Sequence, residues 1–225
     1  MIKIENTEVH GWEAAIRGMR SPMKSWEKSD SCVYYTNDEY SPFGDKYGEN
    51  VKIGQNDLTL MKKLVNAGSD HSKFMRMINV TCDITAPRYW WPEFDTYKVG
   101  TVRDSCSTMH TIAEKEFTVD DFSHEHLYDA NTNPTFYKSP TTMIKNLCEC
   151  LNYYRERYLR IKSKEDWWQI IQLLPQSYNQ RATVQLNYQV LRNMYHARKS
   201  HKLDEWLNFC RWVESLPYSK LITGV

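Results

Sequence analysis

Four helical patterns near the C-terminus do most to limit what this chain can fold into. Apolar residues recur there at helical spacing, over residues 139–162, 164–174, 187–198 and 203–216. Ser139 or Thr141 is expected to begin the first of these helices, Ser163 to cap the second, and Pro175 to end it. A short extended piece, RATVQL, leads into the third helix. Helices therefore dominate this part of the chain.

Patterns are weaker in the N-terminal part. Residues 9–20, VHGWEAAIRGMR, predict a first helix. Residues 21–55 are polar and rich in turn residues, which predicts a long surface loop, and loops of that length are often functional. Asn56 or Asp57 is expected to cap a second helix that runs through Leu64.

The middle of the chain supplies the strands. Residues 77–85, MINVTCDIT, alternate and are rich in β-branched side chains, which predicts a strand. Pro87 is expected to open a short aromatic helix, because proline is tolerated in a first helical turn. Residues 98–112 indicate a loop followed by a strand. We expect an α+β protein that forms one domain over residues 1–225.

The charge balance argues against two classes of partner. The 225 residues carry 29 basic and 28 acidic side chains, which gives no electrostatic case for a nucleic-acid or membrane partner. No apolar run is long enough to span a bilayer, and residues 1–15 lack the apolar core of a signal peptide. The six cysteines lack zinc-site spacing and are read as free thiols. We expect a soluble cytoplasmic protein without a bound metal.

The helix predicted over residues 187–198 has an unusual apolar face. Asn187 and Arg198 are eleven residues apart, which places them within ~20° of one direction and ~16 Å apart along the axis. Val190, Leu191 and Met194 lie between them on the same side. One explanation is a salt bridge for Arg198 and a helix cap for Asn187. The other is a ligand along the helix, with Arg198 directed at anionic or carbonyl oxygens.

Residues 174–201, LPQSYNQRATVQLNYQVLRNMYHARKSH, resemble the flavin-dependent thymidylate synthase (ThyX) family. That family has a Leu-Pro pair, then an Asn, then the pattern N-x-R-x-L-x-x-[FM]-x-x-x-R. The residues that keep the family's spacing are Leu174, Pro175, Asn187, Leu191, Asn193, Met194, Arg198 and His201. Gln189 replaces the inner arginine.

A second block is similar to the same family. His71 leads through the predicted strand to Ala86-Pro87 at the family's distance. Without gaps, the signature R-H-R-x-x-S-x-N-E-x-S-x-R-Y then falls on residues 96–109, TYKVGTVRDSCSTM. The positions of the family's His, Arg, Ser, Glu and second Ser are filled by Tyr97, Lys98, Thr101, Asp104 and Cys106. Arg103 stands where Asn is usual, and Thr108 where a substrate-binding Arg is usual.

The resemblance, which covers roughly residues 57–215, implies a ThyX-like fold with a small central antiparallel sheet and surrounding helices. It implies a homotetramer with shared active sites that binds FAD. It also implies reductive methylation of dUMP or a related pyrimidine deoxynucleotide, with NADPH and methylenetetrahydrofolate as co-substrates. The substrate-binding residues it implies are Arg198, which is also catalytic, Asp104, Cys106 and Glu93. The cofactor-binding residues it implies are His71, Lys98, Asn187, Asn193 and Gln189.

Several of these residues also have ordinary structural explanations. Asn187 and Asn193 could be a helix cap and an exposed helix residue, and His71 could be a turn histidine. Lys98 could be solvated, and Cys106 is more simply a small packing residue than a nucleophile. The signature has lost most of the family's arginines, and Arg88, Arg103 or Arg181 could replace them from shifted positions. The alternative function is therefore a catalytically silent ThyX-like protein that binds a nucleotide or serves in an assembly.

Two other groups of residues favour structural roles. His124 and His126 flank Glu125, but a His pair at this spacing without further ligands is a weak metal signal. The tryptophans in RYWW and DWW could stack on bases. At helical spacing with apolar neighbours, they more often pack in a core or between subunits.

Overall fold

The structure, a computed structural model, describes residues 1–36, 48–129 and 139–224. The chain forms two compact units. The first contains Met1 and the described parts of 85–94 and 105–182, and the second contains the described parts of 2–84, 95–104 and 183–225. The expectation of one domain over residues 1–225 stays a prediction, and each unit is described by itself.

Four strands form a small sheet in the order β1-β4-β6-β5. These strands are β1 (Lys3–His10), β4 (Asn79–Pro87), β5 (Val102–Ser105) and β6 (Asn179–Asn187). Val80, Cys82 and Ile84 alternate with more exposed residues on β4, as the sequence pattern requires of a strand with one buried face. A second, two-stranded antiparallel sheet pairs β2 (Cys32–Thr36) with β3 (Gly48–Lys52). The α+β class with a small antiparallel sheet is confirmed.

The helices follow the predicted patterns closely in the C-terminal part. They are α1 (Trp12–Arg20), α2 (Gln55–Asn66), α3 (Trp91–Phe94), α4 (Thr108–Thr111), α5 (Pro140–Ile161), α6 (Lys164–Leu173), α7 (Tyr188–Arg198), α8 (Asp204–Ser215) and α9 (Lys220–Thr223). Ser139 caps α5 by accepting from the Thr142 N–H, and Ser163 caps α6 by accepting from the Asp166 N–H. Within the described ranges, none of the helices combines the length and apolar character needed to cross a bilayer.

The first unit is built around α5 and α6, which pack against each other. Their buried residues form a core with the segment before α5. This core contains Ile112, Ala113, Phe117, Phe122, Ile144, Cys148, Leu151, Ile170 and Leu174. In the second unit the sheet and α7 contribute fully buried side chains, and Tyr188 packs edge-on against Trp12 at 5.3 Å between ring centroids.

The prediction for residues 21–55 is wrong in its described part. β2 and β3 occupy Cys32–Thr36 and Gly48–Lys52, and two short 3-10 turns precede them at Ser21–Met23 and Trp26–Lys28. Residues 37–47 of the predicted loop lie outside the described residues. This segment is polar because its strands are partly exposed, and such strands show little alternation of apolar and polar residues in the sequence.

Two other boundaries differ from the prediction. β1 was not predicted, and it includes residues 9 and 10, which the sequence pattern had assigned to the first helix. Pro87 ends β4 rather than opening a helix. Pairing continues beyond it, because the Arg88 N–H donates to the Tyr178 carbonyl at 2.9 Å and the Tyr89 N–H to the Gln176 carbonyl at 3.1 Å. The helical turn therefore begins only at Trp91.

A buried carboxylate ties α1 to α2 in the second unit. Asp57 is fully buried inside α2 and accepts from the Arg20 Nε, the Ser29 hydroxyl and the Ser31 hydroxyl, each at 2.6 Å. The side chain of Asp30 caps the N-terminus of α2, because its carboxylate accepts from the Asn56 and Asp57 N–H groups at 2.9 and 3.1 Å. The expectation that Asn56 or Asp57 caps this helix is therefore wrong.

Asp57→Ala is expected to lower the free energy of unfolding by about 3–5 kcal/mol, because it leaves the buried Arg20 guanidinium without its counter-ion. Chemical denaturation measures the loss. The double variant Arg20→Met/Asp57→Leu removes both charges and is expected to be clearly more stable than Asp57→Ala. A double variant no more stable than the single one would contradict this explanation.

Asp57 is also expected to make stability fall in acid. Burial alone raises the pKa of Asp57, but hydrogen bonds from Ser29, Ser31 and Arg20 outweigh it and hold the pKa below its ordinary value of 3.8. This contribution is complete above about pH 3.8 and is lost as pH falls through the lower pKa of the folded state. Unfolding measured between pH 2 and 6 should show less acid destabilisation in Asp57→Ala than in the parent chain.

Candidate functional site

Asn187 joins β6 to α7 and is the N-cap of that helix. Its side-chain oxygen accepts from the Val190 N–H at 3.0 Å, and the residue is 9% exposed. This bond satisfies one of the amides that the first turn of a helix leaves without a partner. The helix-cap explanation for Asn187 is therefore correct.

The same Asn187 side chain also holds the loop that precedes β5. Its amide nitrogen donates to the Gly100 carbonyl at 3.5 Å. Gly100 has a φ of 85°, a left-handed conformation that favours glycine, and a Cβ there would lie 2.7 Å from the Asn187 amide nitrogen. Gly100 therefore lies in close contact with the start of α7. It belongs to residues 97–101, here called the α7 loop.

Arg198 stands at the other end of α7 and meets the other end of the α7 loop. Its Nε donates to the Tyr97 hydroxyl at 3.1 Å. The guanidinium carbon lies 4.8 Å from the centroid of the Trp206 ring and 5.7 Å from that of Tyr97. Contacts of this kind contribute about 0.5–2 kcal/mol each and fix the plane of a half-buried guanidinium.

His201 shapes the turn between Arg198 and α8. Its N–H donates to the Arg198 carbonyl at 2.9 Å, and its Nδ1 accepts from the Leu203 N–H at 3.2 Å. The imidazole lies edge-on to Trp206 at 6.3 Å between ring centroids. The turn thus places Trp206 beside the Arg198 guanidinium, which contacts the rings of both Trp206 and Tyr97.

Two of the residues predicted to bind a cofactor, Gln189 and Asn193, contact each other in the second unit. The Ser72 hydroxyl donates to the Gln189 side-chain Oε1 at 3.1 Å, and the Gln189 side-chain Nε2 donates to the Asn193 Oδ1 at 3.2 Å. His71 precedes Ser72 and is exposed, as is Asn193. Lys98 is exposed in the α7 loop. The Gln189–Asn193 amide pair could donate to and accept from a polar ligand.

The remaining predicted substrate residues fall in different parts of the chain. Asp104 is exposed on β5 in the second unit. Cys106 and Glu93 belong to the first unit, where Cys106 is exposed and Glu93 is half-buried on α3. The Cys106 N–H donates to the Arg181 carbonyl at 2.9 Å, so that the backbone is fixed while the thiol stays accessible.

The other two groups of residues have structural surroundings. His124 lies near its own backbone, with Nδ1 2.8 Å from the Phe122 carbonyl oxygen. In the part of the chain that the structure describes, no group of three or more His, Cys, Asp or Glu side chains could hold a metal ion. Trp90 and Trp91 are 0% and 3% exposed, as expected for packing residues. Trp167 packs against the core of the first unit and is partly buried, whereas Trp168 is 41% exposed.

Sequence reasoning missed Gly100, Ser72 and Trp206. Gly100 follows Lys98 by two residues in a segment whose pattern is irregular, and a glycine in such a segment indicates a turn. Trp206 appeared only as an apolar position of the last helix. Nothing in one sequence indicates that this ring stacks on Arg198, because the contact depends on how α8 folds back on α7.

Gly100→Ala is expected to destabilise the chain more than Gly68→Ala does. Both glycines have positive φ angles, 85° and 107°, so each substitution costs about 1–2 kcal/mol of backbone strain. Only at Gly100 does the added methyl also meet Asn187, since nothing lies within 4 Å of a Cβ at Gly68. Chemical denaturation of both variants measures the extra loss of unfolding free energy caused by the contact with Asn187. Equal losses in the two variants would contradict the close approach of Gly100 to Asn187.

Comparison with known proteins supports the fold. No protein-family model matches this sequence, and no curated protein matches it. The solved structures that match over nearly the whole chain include two of the thymidylate synthase ThyX from Helicobacter pylori with FAD and dUMP. One has a TM-score of 0.65 at 17% identity and covers 99% of this chain and 97% of the other. The second has a TM-score of 0.63 at 17% identity, with 98% and 97% covered. This chain therefore has a ThyX-like fold.

Proposed function

We propose that this chain is a flavin-dependent transferase that adds a one-carbon unit to C5 of dUMP or a related pyrimidine deoxynucleotide. Two observations support the proposal: the fold is shared over nearly the full length with an enzyme solved with FAD and dUMP, and Arg198 ends the helix that resembles the family's. The arrangement of Arg198 carries it. A guanidinium held by a phenol and stacked on an indole has a fixed direction, as a group that polarises a ligand requires.

Arg198 would act on the pyrimidine through hydrogen bonds to a ring carbonyl. Polarising that carbonyl favours enolate-like charge on its oxygen, and the C5 atom becomes more nucleophilic as a result. A preorganised donor of this kind contributes about 3–4 kcal/mol to the stability of the transition state. Tyr97 accepts from the Arg198 Nε and so sets the angle at which the guanidinium faces a ligand.

FAD fits the donors around α7 in part. The exposed Lys98 could pair with a phosphate, while His71, Gln189 and Asn193 offer donors and acceptors for the rest of the molecule. Asn187 does not fit, because its amide is engaged by the helix cap and by Gly100. FAD, when bound, would supply the reducing equivalents for the transfer. We keep Lys98, His71, Gln189 and Asn193 as its ligands.

The proposal extends to the other ligands and to assembly. Asp104, Cys106 and Glu93 are proposed to contact the nucleotide, NADPH to supply reducing equivalents, and methylenetetrahydrofolate to supply the carbon. A homotetramer would complete the binding sites. These assignments rest on the resemblance of residues 57–112 and 165–215 to the family rather than on a contact within this chain.

A catalytically silent nucleotide-binding or assembly protein is the second candidate. The observation that favours it concerns the R-H-R part of the signature, which falls on residues 96–98. Lys98 is the one cation in these three residues, and it is exposed. Loss of each charged contact to a phosphate removes about 1.5–3 kcal/mol of binding energy. A chain that has lost several such contacts could keep the fold without retaining flavin.

The deciding experiment combines a flavin titration with thermal shifts in dUMP. The parent protein is expected to take up FAD with a visible absorption band, and dUMP is expected to raise its melting temperature. Arg198→Ala should lose most of the dUMP shift because the donor to the ring is gone. Lys199→Ala, which removes an exposed charge at the next position, should keep it.

Each outcome separates the two functions. A colourless protein that takes up no FAD favours the silent candidate. An Arg198→Ala variant with the parent's full dUMP response would return Arg198 to a structural role and end the enzymatic proposal. Size measurements on the same variants check that the assembly is unchanged, so that a lost response reports binding rather than dissociation.

A further inference from the structure

A cavity of about 410 Å³ lies between α1 and the segment that leads into β2, within the second unit. One wall is a single face of α1, because the four α1 residues that line the cavity follow the spacing i, i+3, i+4, i+7. The opposite wall comes from Trp26, from two serines that follow it and from β2. This volume is within the range of sites that bind small molecules.

The apolar part of the cavity is centred on an indole ring. Trp26 is 48% exposed, and its Nε1 donates to the Arg17 carbonyl at 3.3 Å, which ties the ring to α1. Ile16 and Val33 add aliphatic side chains on the two walls. A large ring that is anchored by its nitrogen and still half exposed offers apolar surface that a ligand could bury.

Charges of both signs stand side by side on the α1 wall. Glu13 and Arg17 are exposed, and the Arg17 Nη1 lies 3.8 Å from the Glu13 Oε1. This distance is longer than a hydrogen bond, and an exposed pair of this kind holds its two groups only weakly. The guanidinium and the carboxylate can therefore turn toward ligand charges of the opposite sign.

Arg20 brings buried donors to the same wall. Its side chain is 5% exposed, and three of its five N–H groups donate to the Asp57 carboxylate and to the carbonyls of Ser25 and Lys28. The other two N–H groups have no acceptor among the residues that the structure describes. A buried donor without an acceptor is costly, and a ligand oxygen could satisfy it.

We propose that this cavity binds a free α-amino acid with an apolar side chain. The carboxylate of the ligand would accept from Arg17 and from the remaining N–H groups of Arg20, and its ammonium group would pair with Glu13. Its side chain would cover the Trp26 ring. The two charges of an α-amino acid are adjacent, as those of Glu13 and Arg17 are, whereas a simple carboxylate would meet Glu13 with a charge of the same sign.

The proposal goes beyond the transferase reaction. None of the residues that line this cavity in the described chain is among those proposed to bind flavin, the pyrimidine or a co-substrate. A catalytically silent protein could therefore bind the same ligand here.

Isothermal titration with L-phenylalanine tests the carboxylate contact, with the full chain free of FAD and nucleotide. Arg17→Gln is expected to weaken binding about tenfold, because a hydrogen bond between two charged groups is lost. Arg17→Lys keeps the charge and should lose less. Arg211→Gln removes an exposed arginine of the same unit and should bind as the parent does. Arg198→Ala should also keep the parent's affinity, which separates this site from the proposed reaction.

A second probe tests the ammonium contact. 3-Phenylpropionate has the same ring and carboxylate but lacks the ammonium group, so the parent is expected to bind it more weakly than L-phenylalanine. Glu13→Gln should weaken the binding of L-phenylalanine severalfold and leave that of 3-phenylpropionate unchanged or stronger. A general disturbance of the cavity would weaken both probes alike.

The proposal would be overturned if the parent did not bind L-phenylalanine, or if Arg17→Gln bound it with the parent's affinity. Equal affinity of the parent for the two probes would overturn the assignment to an amino acid. The melting temperature of each variant without ligand checks folding, and it should stay near that of the parent because Glu13 and Arg17 are exposed.

Discussion

The two attachments of the α7 loop to the ends of one helix are the constraint on which the second unit's candidate site depends. Asn187 holds Gly100 at the start of α7, and Arg198 donates to Tyr97 at its end. The loop between these points can therefore place Lys98 only within a narrow range of positions. Asn187 and Arg198 lie at the two ends of the apolar face of α7 because each of them binds the α7 loop, one at Gly100 and the other at Tyr97.

The Arg198 guanidinium is oriented in part by aromatic groups. Its carbon lies 4.8 Å from the centroid of the Trp206 ring, and its Nε donates to the Tyr97 hydroxyl at 3.1 Å. Contacts of this kind fix the plane of a guanidinium, which is what a group that donates to a ligand in one direction requires.

The sequence predicts the C-terminal helices well because their signals are local. Ser139, Ser163 and Asn187 each cap a helix where a capping residue precedes an apolar periodic run. β1, β2 and β3 were not predicted. Partly exposed strands show little alternation in sequence, and their formation depends on the strands they pair with. The contact between Trp206 and Arg198 was not predicted, because it depends on how α8 folds back on α7. Of the residues suggested by family resemblance, Gln189 and Asn193 are hydrogen-bonded to each other, whereas Asn187 caps α7 and holds Gly100.

Asn187 couples the first turn of α7 to the position of the α7 loop. Its side-chain oxygen caps the helix and its side-chain nitrogen donates to the Gly100 carbonyl, so both interactions are lost together when that amide rotates. A substitution that removes this amide therefore costs the chain a helix cap and one of the two attachments of the loop at the same time.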